Sequence, residues 1–259
     1  MSFLIHVDGV SDLGQTRARN EDSFTVLPDL GTAVVADGMG GHPGGDVASQ
    51  TAAREAEAVL SDRLPLPPEV RADPDLALAN LGQTMEAAVM AAHNAIRARG
   101  KSDTALAGMG TTLTAMAIDP LSGNFGIGHV GDSRAYRFRE GDLLQLTRDD
   151  TWVQERVEHE DLTPEQAKRH PFGHLLTQCV GLEAPPEPHV VTGQVQAGDL
   201  YLLCSDGLVG MLEDEAMVGL LREAAGETPR AIAGRLVDAA NKSGGLDNIT
   251  AAILIVTGA

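Results

Sequence analysis

The chain has 259 residues, 43% of them hydrophobic and 22% charged, with a formal net charge of −18. That length accommodates one large globular domain, and the acidic balance, with no basic cluster standing out, argues against nucleic-acid binding, which needs cations to neutralise phosphates. No apolar stretch is long enough to span a membrane, and the start MSFLIHVDGVSD lacks the basic segment of a signal peptide, so a cytoplasmic protein without membrane contact is expected.

In chain order, residues 3–10 and 23–27 are short runs of β-branched and aromatic residues that predict strands. TAVVA at 32–36 reads as a buried strand emptying into the glycine-rich stretch Asp37-Gly38-Met39-Gly40-Gly41. A helix pattern follows at 46–60. A second, long helix is predicted over 75–98, where Leu81, Met85, Val89, Ala92 and Ile96 recur on one face. The proline-rich PLPPEVRADP between them reads as a loop.

From 111 to 146, TLTAMAI, NFGIGHV, SRAYRFR and DLLQL are separated by turn-like breaks and predict an antiparallel meander. Residues 150–185 are polar and irregular, with helical hints at 151–158 and 164–169. Strands return at 189–195 and 200–204, helices at 213–225 and 229–241, and a final strand at 249–256. Grouped rather than alternating elements favour antiparallel sheets covered by helices over a doubly wound parallel sheet. With no repeat and no linker, residues 1–259 are expected to form a single domain. Cys179 and Cys204 sit in apolar stretches without CxxC spacing and read as reduced, packed thiols.

One arrangement recurs along the chain: an apolar strand ending in aspartate, usually beside glycine. Val34-Val35-Ala36 runs into Asp37-Gly38, His129-Val130 into Gly131-Asp132, and Leu203-Cys204-Ser205 into Asp206-Gly207. Leu246-Asp247-Asn248 precedes the last strand, and Asn20-Glu21-Asp22 precedes an early one. A single Asp-Gly is ordinarily a turn. Repeated at strand boundaries, carboxylates on rigid ends can converge, and glycine beside them lets carbonyls and ions approach closely. An all-oxygen ligand set suits Mg²⁺ or Mn²⁺ rather than zinc.

The ordered set RARNEDS, VVADGMGGH, MGTTL, GHVGDSRAY, LLCSDGL and GGLDNITAAIL resembles the metal-dependent type 2C protein phosphatases in their compact bacterial form. The resemblance covers residues 14 to 256. It implies an α+β fold, a four-layer α-β-β-α sandwich of two antiparallel sheets flanked by helix pairs, with the metals at one end between the sheets. It further implies a protein serine/threonine phosphatase in which water activated between two cations attacks phosphoserine or phosphothreonine directly, with no covalent phosphoenzyme.

Residue by residue, the resemblance implies that Asp37 bridges the two metals and has a catalytic role, with the Gly38 carbonyl as a further ligand. Asp206 and Asp247 are expected on the first metal. Glu21 and Asp22, the latter also expected to be catalytic, ligate the second metal or orient its waters, and the sequence leaves open which of them binds directly. Asp132, with Asp206, is expected to hold a third, weaker Mn²⁺ or Mg²⁺. Arg17 matches the phosphate-binding arginine, with Arg19 as a nearby competitor. Partners implied are phosphorylated proteins, among them a bacterial serine/threonine kinase and its substrates.

Some features depart from the family pattern or compete with it. Met39 stands where many eukaryotic relatives have a histidine proposed as general acid, so no residue is assigned that role. His42 reads as a structural or solvated loop histidine. Residues 150–185 match the position of an active-site flap, with Gly173-His174 where Arg-Asn is common. AIRARGKS at 95–102 is a relaxed match to a nucleotide-binding P-loop, but it follows a helix instead of a strand. The competing functions are a non-catalytic phosphoprotein-binding module of the same fold and a hydrolase of small phosphate esters.

Overall fold

The computed structural model describes residues 2–39 and 44–258. Strands β1 (Phe3–Asp12), β2 (Asp22–Leu27) and β3 (Thr32–Asp37) lead into helix α1 (Gly45–Arg63). The one-turn α2 (Pro68–Arg71) and the long α3 (Pro74–Ser102) follow, then β4 (Leu113–Ile118), β5 (Asn124–Val130), β6 (Arg134–Arg139) and β7 (Asp142–Gln145). Helices α4 (Trp152–Glu158) and α5 (Pro164–Ala167) precede β8 (His189–Gln194) and β9 (Leu200–Cys204). The chain ends with α6 (Asp206–Val209), α7 (Asp214–Glu223), α8 (Pro229–Lys242) and β10 (Ile249–Gly258).

The strands form two five-stranded antiparallel sheets, ordered β1-β10-β9-β6-β7 and β2-β3-β4-β5-β8. Alternation along each strand explains the layers. In β3, Ala33 and Val35 face the space between the sheets, while Val34 and Ala36 pack under α1 and α3. In β9, Tyr201 and Leu203 face the inter-sheet core, while Leu202 and Cys204 pack under α7 and α8. With both faces buried, the central strands read as continuous apolar runs, and the predicted α-β-β-α sandwich is the observed architecture.

Two local expectations are corrected. The proline-rich segment is not wholly loop: Pro68 sits at the start of a single helical turn, where its missing N–H and fixed φ are tolerated. The strands from 111 to 146 are not one meander. β4 pairs with β5 and β6 with β7, but β6 crosses to the other sheet and pairs with β9. The crossing occurs at Gly131, whose φ of 109° is open to glycine. It puts Asp132 on the corner between the sheets.

Helix α3 also runs unbroken through residues 95–102, so the P-loop match has no glycine-rich loop to work with. The helical hints at 151–158 and 164–169 correspond to α4 and α5.

Candidate active site

Antiparallel pairing brings the acidic strand ends to one edge of the sandwich. Asp22 at the start of β2 lies in register with Asp37 at the end of β3. Leu113 opposes Val130, Arg134 opposes Cys204, and Asp12 opposes Ile249. The segments just beyond these pairs therefore share one rim. There a cleft of about 700 Å³ is lined by Arg17, Glu21, Asp37, Gly38, Asp132, Asp206 and Asp247, together with Met39, Thr112 and Asn248.

Backbone packing around Asp37 and Asp206 is tight enough to dictate glycine beside each. A Cβ on Gly38 would collide with the Gly45 carbonyl, and one on Gly207 with the Asn248 carbonyl. The Asp37 segment is further fixed by the neighbouring strand. Its N–H donates to Thr112 Oγ1 at 3.0 Å, and its carbonyl accepts from Thr111 Oγ1 at 2.7 Å and the Thr112 N–H at 2.9 Å. Thr112 Oγ1 in turn meets Ser133 Oγ at 2.7 Å.

Asn248 ties the Arg17 segment to the Asp247 segment. Its carbonyl oxygen accepts from the Glu21 N–H at 2.8 Å, and its amide donates to the carbonyls of Leu13 and Arg19 at 3.0 and 2.9 Å. Arg17 Nη2 donates to Asp247 Oδ2 at 2.6 Å. Arg17 lines the cleft and Arg19 is not among the lining residues.

The neighbours Glu21 and Asp22 part company. Glu21 lines the cleft, its carboxylate lying against Gly45 at the start of α1. Asp22 lies behind it, buried, where Oδ2 accepts from Ser205 Oγ at 2.7 Å and Thr250 Oγ1 at 2.6 Å. Its Oδ1 is buried with no hydrogen-bond partner.

This concentration of carboxyls is electrostatically costly. Burial, and then the charges of Asp22, Asp206 and Asp132, hold the Asp37 carboxyl well above the usual carboxylate range. Burial and the charges of Asp206 and Asp149 do the same to Asp132. Burial pushes Asp22 up to about 7, against the opposing hydrogen bonds from Thr250 and Ser205. Asp206 is raised by burial despite its hydrogen bond with Asp37. Such a set holds protons or cations.

The donor chemistry fits hard divalent cations: carboxylates, the Gly38 carbonyl and an unpartnered buried carboxylate oxygen, with no thiolate available. Cys179 and Cys204 are free and buried, and burial pushes both thiols up to about 12, which leaves neither as a nucleophile. Among the described residues, no three acidic or imidazole side chains already converge as a preformed cage. Asp247 is engaged by Arg17, and the Asp37 and Asp206 carboxyls are within hydrogen-bonding reach of each other.

The 150–185 segment borders the cleft through His174, Leu175, Leu176, Thr177, Gln178, Cys179 and Leu182. Asp150, fully buried, anchors it. The Asp150 carboxylate accepts from the Gly131 N–H at 2.9 Å and from His189 Nε2 at 2.8 Å, and its carbonyl accepts from the Thr177 N–H at 2.8 Å. Met39 lines the cleft, whereas His42 lies outside the described residues.

Sequence reading assigned no role to Thr111, Thr112, Asn248 or Asp150. The threonines and Asn248 stood within the quoted motifs, but only strand pairing reveals what they hold.

Comparison with known proteins gives a consistent picture. A family profile described as Protein phosphatase 2C matches residues 14–231. The serine/threonine protein phosphatase PstP of Mycobacterium tuberculosis is 40% identical over 247 residues, covering 94% of this chain and 43% of that protein. The chain thus spans less than half the length of that relative. The serine/threonine phosphatase stp of Listeria welshimeri is 32% identical over 249 residues, covering 95% of this chain and 94% of its own. A crystal structure of the catalytic domain of PstP in complex with 2 manganese ions is similar at a TM-score of 0.79 and 36% identity, covering 99% of this chain and 100% of that one.

Proposed function

Because the chain belongs to the protein phosphatase 2C family, we propose that it is a metal-dependent protein serine/threonine phosphatase acting on phosphoserine and phosphothreonine. The observation that carries this reading is the gathering of Glu21, Asp37, Asp132, Asp206 and Asp247 around one cleft that also admits Arg17.

Asp37, Asp206 and Asp247 would hold the two core cations, Mn²⁺ or Mg²⁺, with the Gly38 carbonyl and Glu21 beside them. Asp132 with Asp206 would take a third, weaker one. Bound there, the cations supply an acidified water as nucleophile and positive charge facing the phosphoryl oxygens. Asp22, whose Oδ1 lacks a partner, stands behind as a hydrogen-bond acceptor. Arg17 offers a bidentate fork to the phosphoryl group once it leaves Asp247. Met39 has no proton to give the leaving alkoxide.

Residues 150–185 act as a flap whose Leu175, Leu176 and Leu182 exclude water from one side of the cleft. The unit 1–259 works as a single catalytic domain. Its partners are phosphorylated proteins, among them a serine/threonine kinase and that kinase's substrates, in the cytoplasm. No helix among the described residues is long and apolar enough to cross a membrane.

The test is phosphate release from a phosphothreonine peptide with Mn²⁺, with Mg²⁺ and with EDTA. Release that depends on metal and disappears in Asp206→Asn is expected. No release by folded protein with either metal would favour a phosphopeptide-binding module, and release from sugar phosphates in preference to the peptide would favour a small-ester hydrolase.

A further inference from the structure

A second groove of about 460 Å³ lies at the C-terminal end of α3. Leu182 lines both this groove and the active-site cleft, and it is 41% exposed, so the two are continuous across one apolar side chain. Ile96 and Met109 give the groove apolar lining, and Arg97 and Lys101 give it positive charge.

Both stand in a chain of net charge −18. Some cations are held by acids, as in Arg134 with Asp149, Arg139 with Asp199 and Arg148 with Glu158, and others, such as Arg63, Arg137 and Lys242, form no ion pair among the described residues; what sets Arg97 and Lys101 apart is that they line a groove sharing Leu182 with the cleft. Among the described residues, neither Arg97 nor Lys101 forms an ion pair. Glu183 also lines the groove, but Arg97 meets its backbone carbonyl, at 2.6 Å.

A bland account exists: cations in the last turn complement the helix dipole. It covers Lys101 on α3, but it does not explain why the charge borders a groove that opens into the cleft.

We propose that a phosphorylated substrate polypeptide leaves the cleft across Leu182 and sets an aspartate or glutamate side chain against Arg97 and Lys101. The inference rests on the phosphatase reading and names the class of substrate it favours. The groove lies away from the reacting phosphate, so its contacts act equally on bound substrate and transition state. They lower KM and leave kcat unchanged. Exposed ion pairs of this kind are modest and screened by salt.

The experiment compares phosphothreonine peptides carrying glutamates only on the N-terminal side, glutamates only on the C-terminal side, or neutral flanks, at low and high salt. One acidic peptide is expected to show a KM about fivefold below the neutral one, with equal kcat and an advantage that fades in high salt. In the pair Arg97→Glu and Lys101→Glu that preference should vanish or invert. The milder Arg97→Gln and Lys101→Gln should remove it with the melting temperature retained.

Hydrolysis of all three peptides with equal KM, or a preference untouched by both variant pairs, overturns the groove and leaves the phosphatase reading standing. No hydrolysis of any peptide with Mn²⁺ overturns both.

Discussion

Arg17 and Asp247 hold each other: the guanidinium donates to the carboxylate at 2.6 Å across 230 residues of sequence. The group suited to bind phosphate and a group suited to bind a cation are therefore engaged with one another. A cation held at Asp247 would compete with Arg17 for the carboxylate, leaving the guanidinium free to meet a phosphoryl group. The pair is partly exposed, at 44% and 33%, so it is worth at most about 1 kcal/mol, up to about fivefold in affinity. Arg17→Met is expected to tighten Mn²⁺ binding by up to that factor while raising KM for a phosphopeptide. Titration calorimetry with Mn²⁺ reads the first effect and steady-state kinetics the second. Weaker Mn²⁺ binding in the variant would contradict the displacement.

Asp206→Asn and Asp37→Asn each remove one of the mutually repelling carboxyls. Turnover should fall by about 10³-fold or more if these carboxylates hold the cations, which would supply several kcal/mol of transition-state stabilisation. The melting temperature in EDTA should stay level or rise, since a buried like-charge contact is relieved. Near-normal rates would remove these aspartates from the metal site.

The carboxyl cluster also sets a pH dependence. Asp22, Asp37 and Asp132 bind protons more tightly folded than unfolded. Their contribution to stability is full below the unfolded value of 3.8 and is lost as pH rises through the folded value, about 7 for Asp22. In EDTA, the melting temperature of wild type relative to Asp22→Asn should therefore fall from about pH 5 to about pH 8. Mn²⁺ competes with those protons, so its stabilising shift should grow over the same range. A shift equal at both ends would show that the cation does not bind the titrating carboxyls.

Asp150 joins three parts of the molecule through its carboxylate, the corner at Gly131, strand β8 at His189 and the cleft-lining Gln178, while its backbone carbonyl accepts from Thr177. Asp150→Ala leaves the buried Gly131 N–H without its side-chain acceptor and releases His189. A loss of about 3 kcal/mol is expected in denaturant unfolding. The backbone bond from Thr177 is kept, but Gln178 Nε2, which lines the cleft, loses its bond to Asp150 Oδ1 at 3.3 Å, so KM for a phosphopeptide should rise as well. Unchanged stability would mean that the Asp150 carboxylate does not anchor this corner.

The sequence by itself determined the local elements and the chemical character of the site. Apolar runs such as TAVVA and LYLLC are buried on both faces, so their strands stood out. The 75–98 periodicity marked α3, and Asp-Gly steps at strand ends announced an oxygen-rich site. Tertiary structure alone decided what those ends meet.

Strand order is a matter of long-range pairing, which leaves no period in the chain. The crossing at Gly131 therefore looked like one more turn in a meander, although it carries Asp132 between the sheets. Adjacent Glu21 and Asp22 are equivalent in sequence. Because side chains alternate where a strand begins, the fold puts one on the cleft and buries the other behind Ser205 and Thr250. Asn248 and Asp150 bridge segments far apart in the chain, and a hydrogen bond between such segments exists only once packing has brought their backbones together.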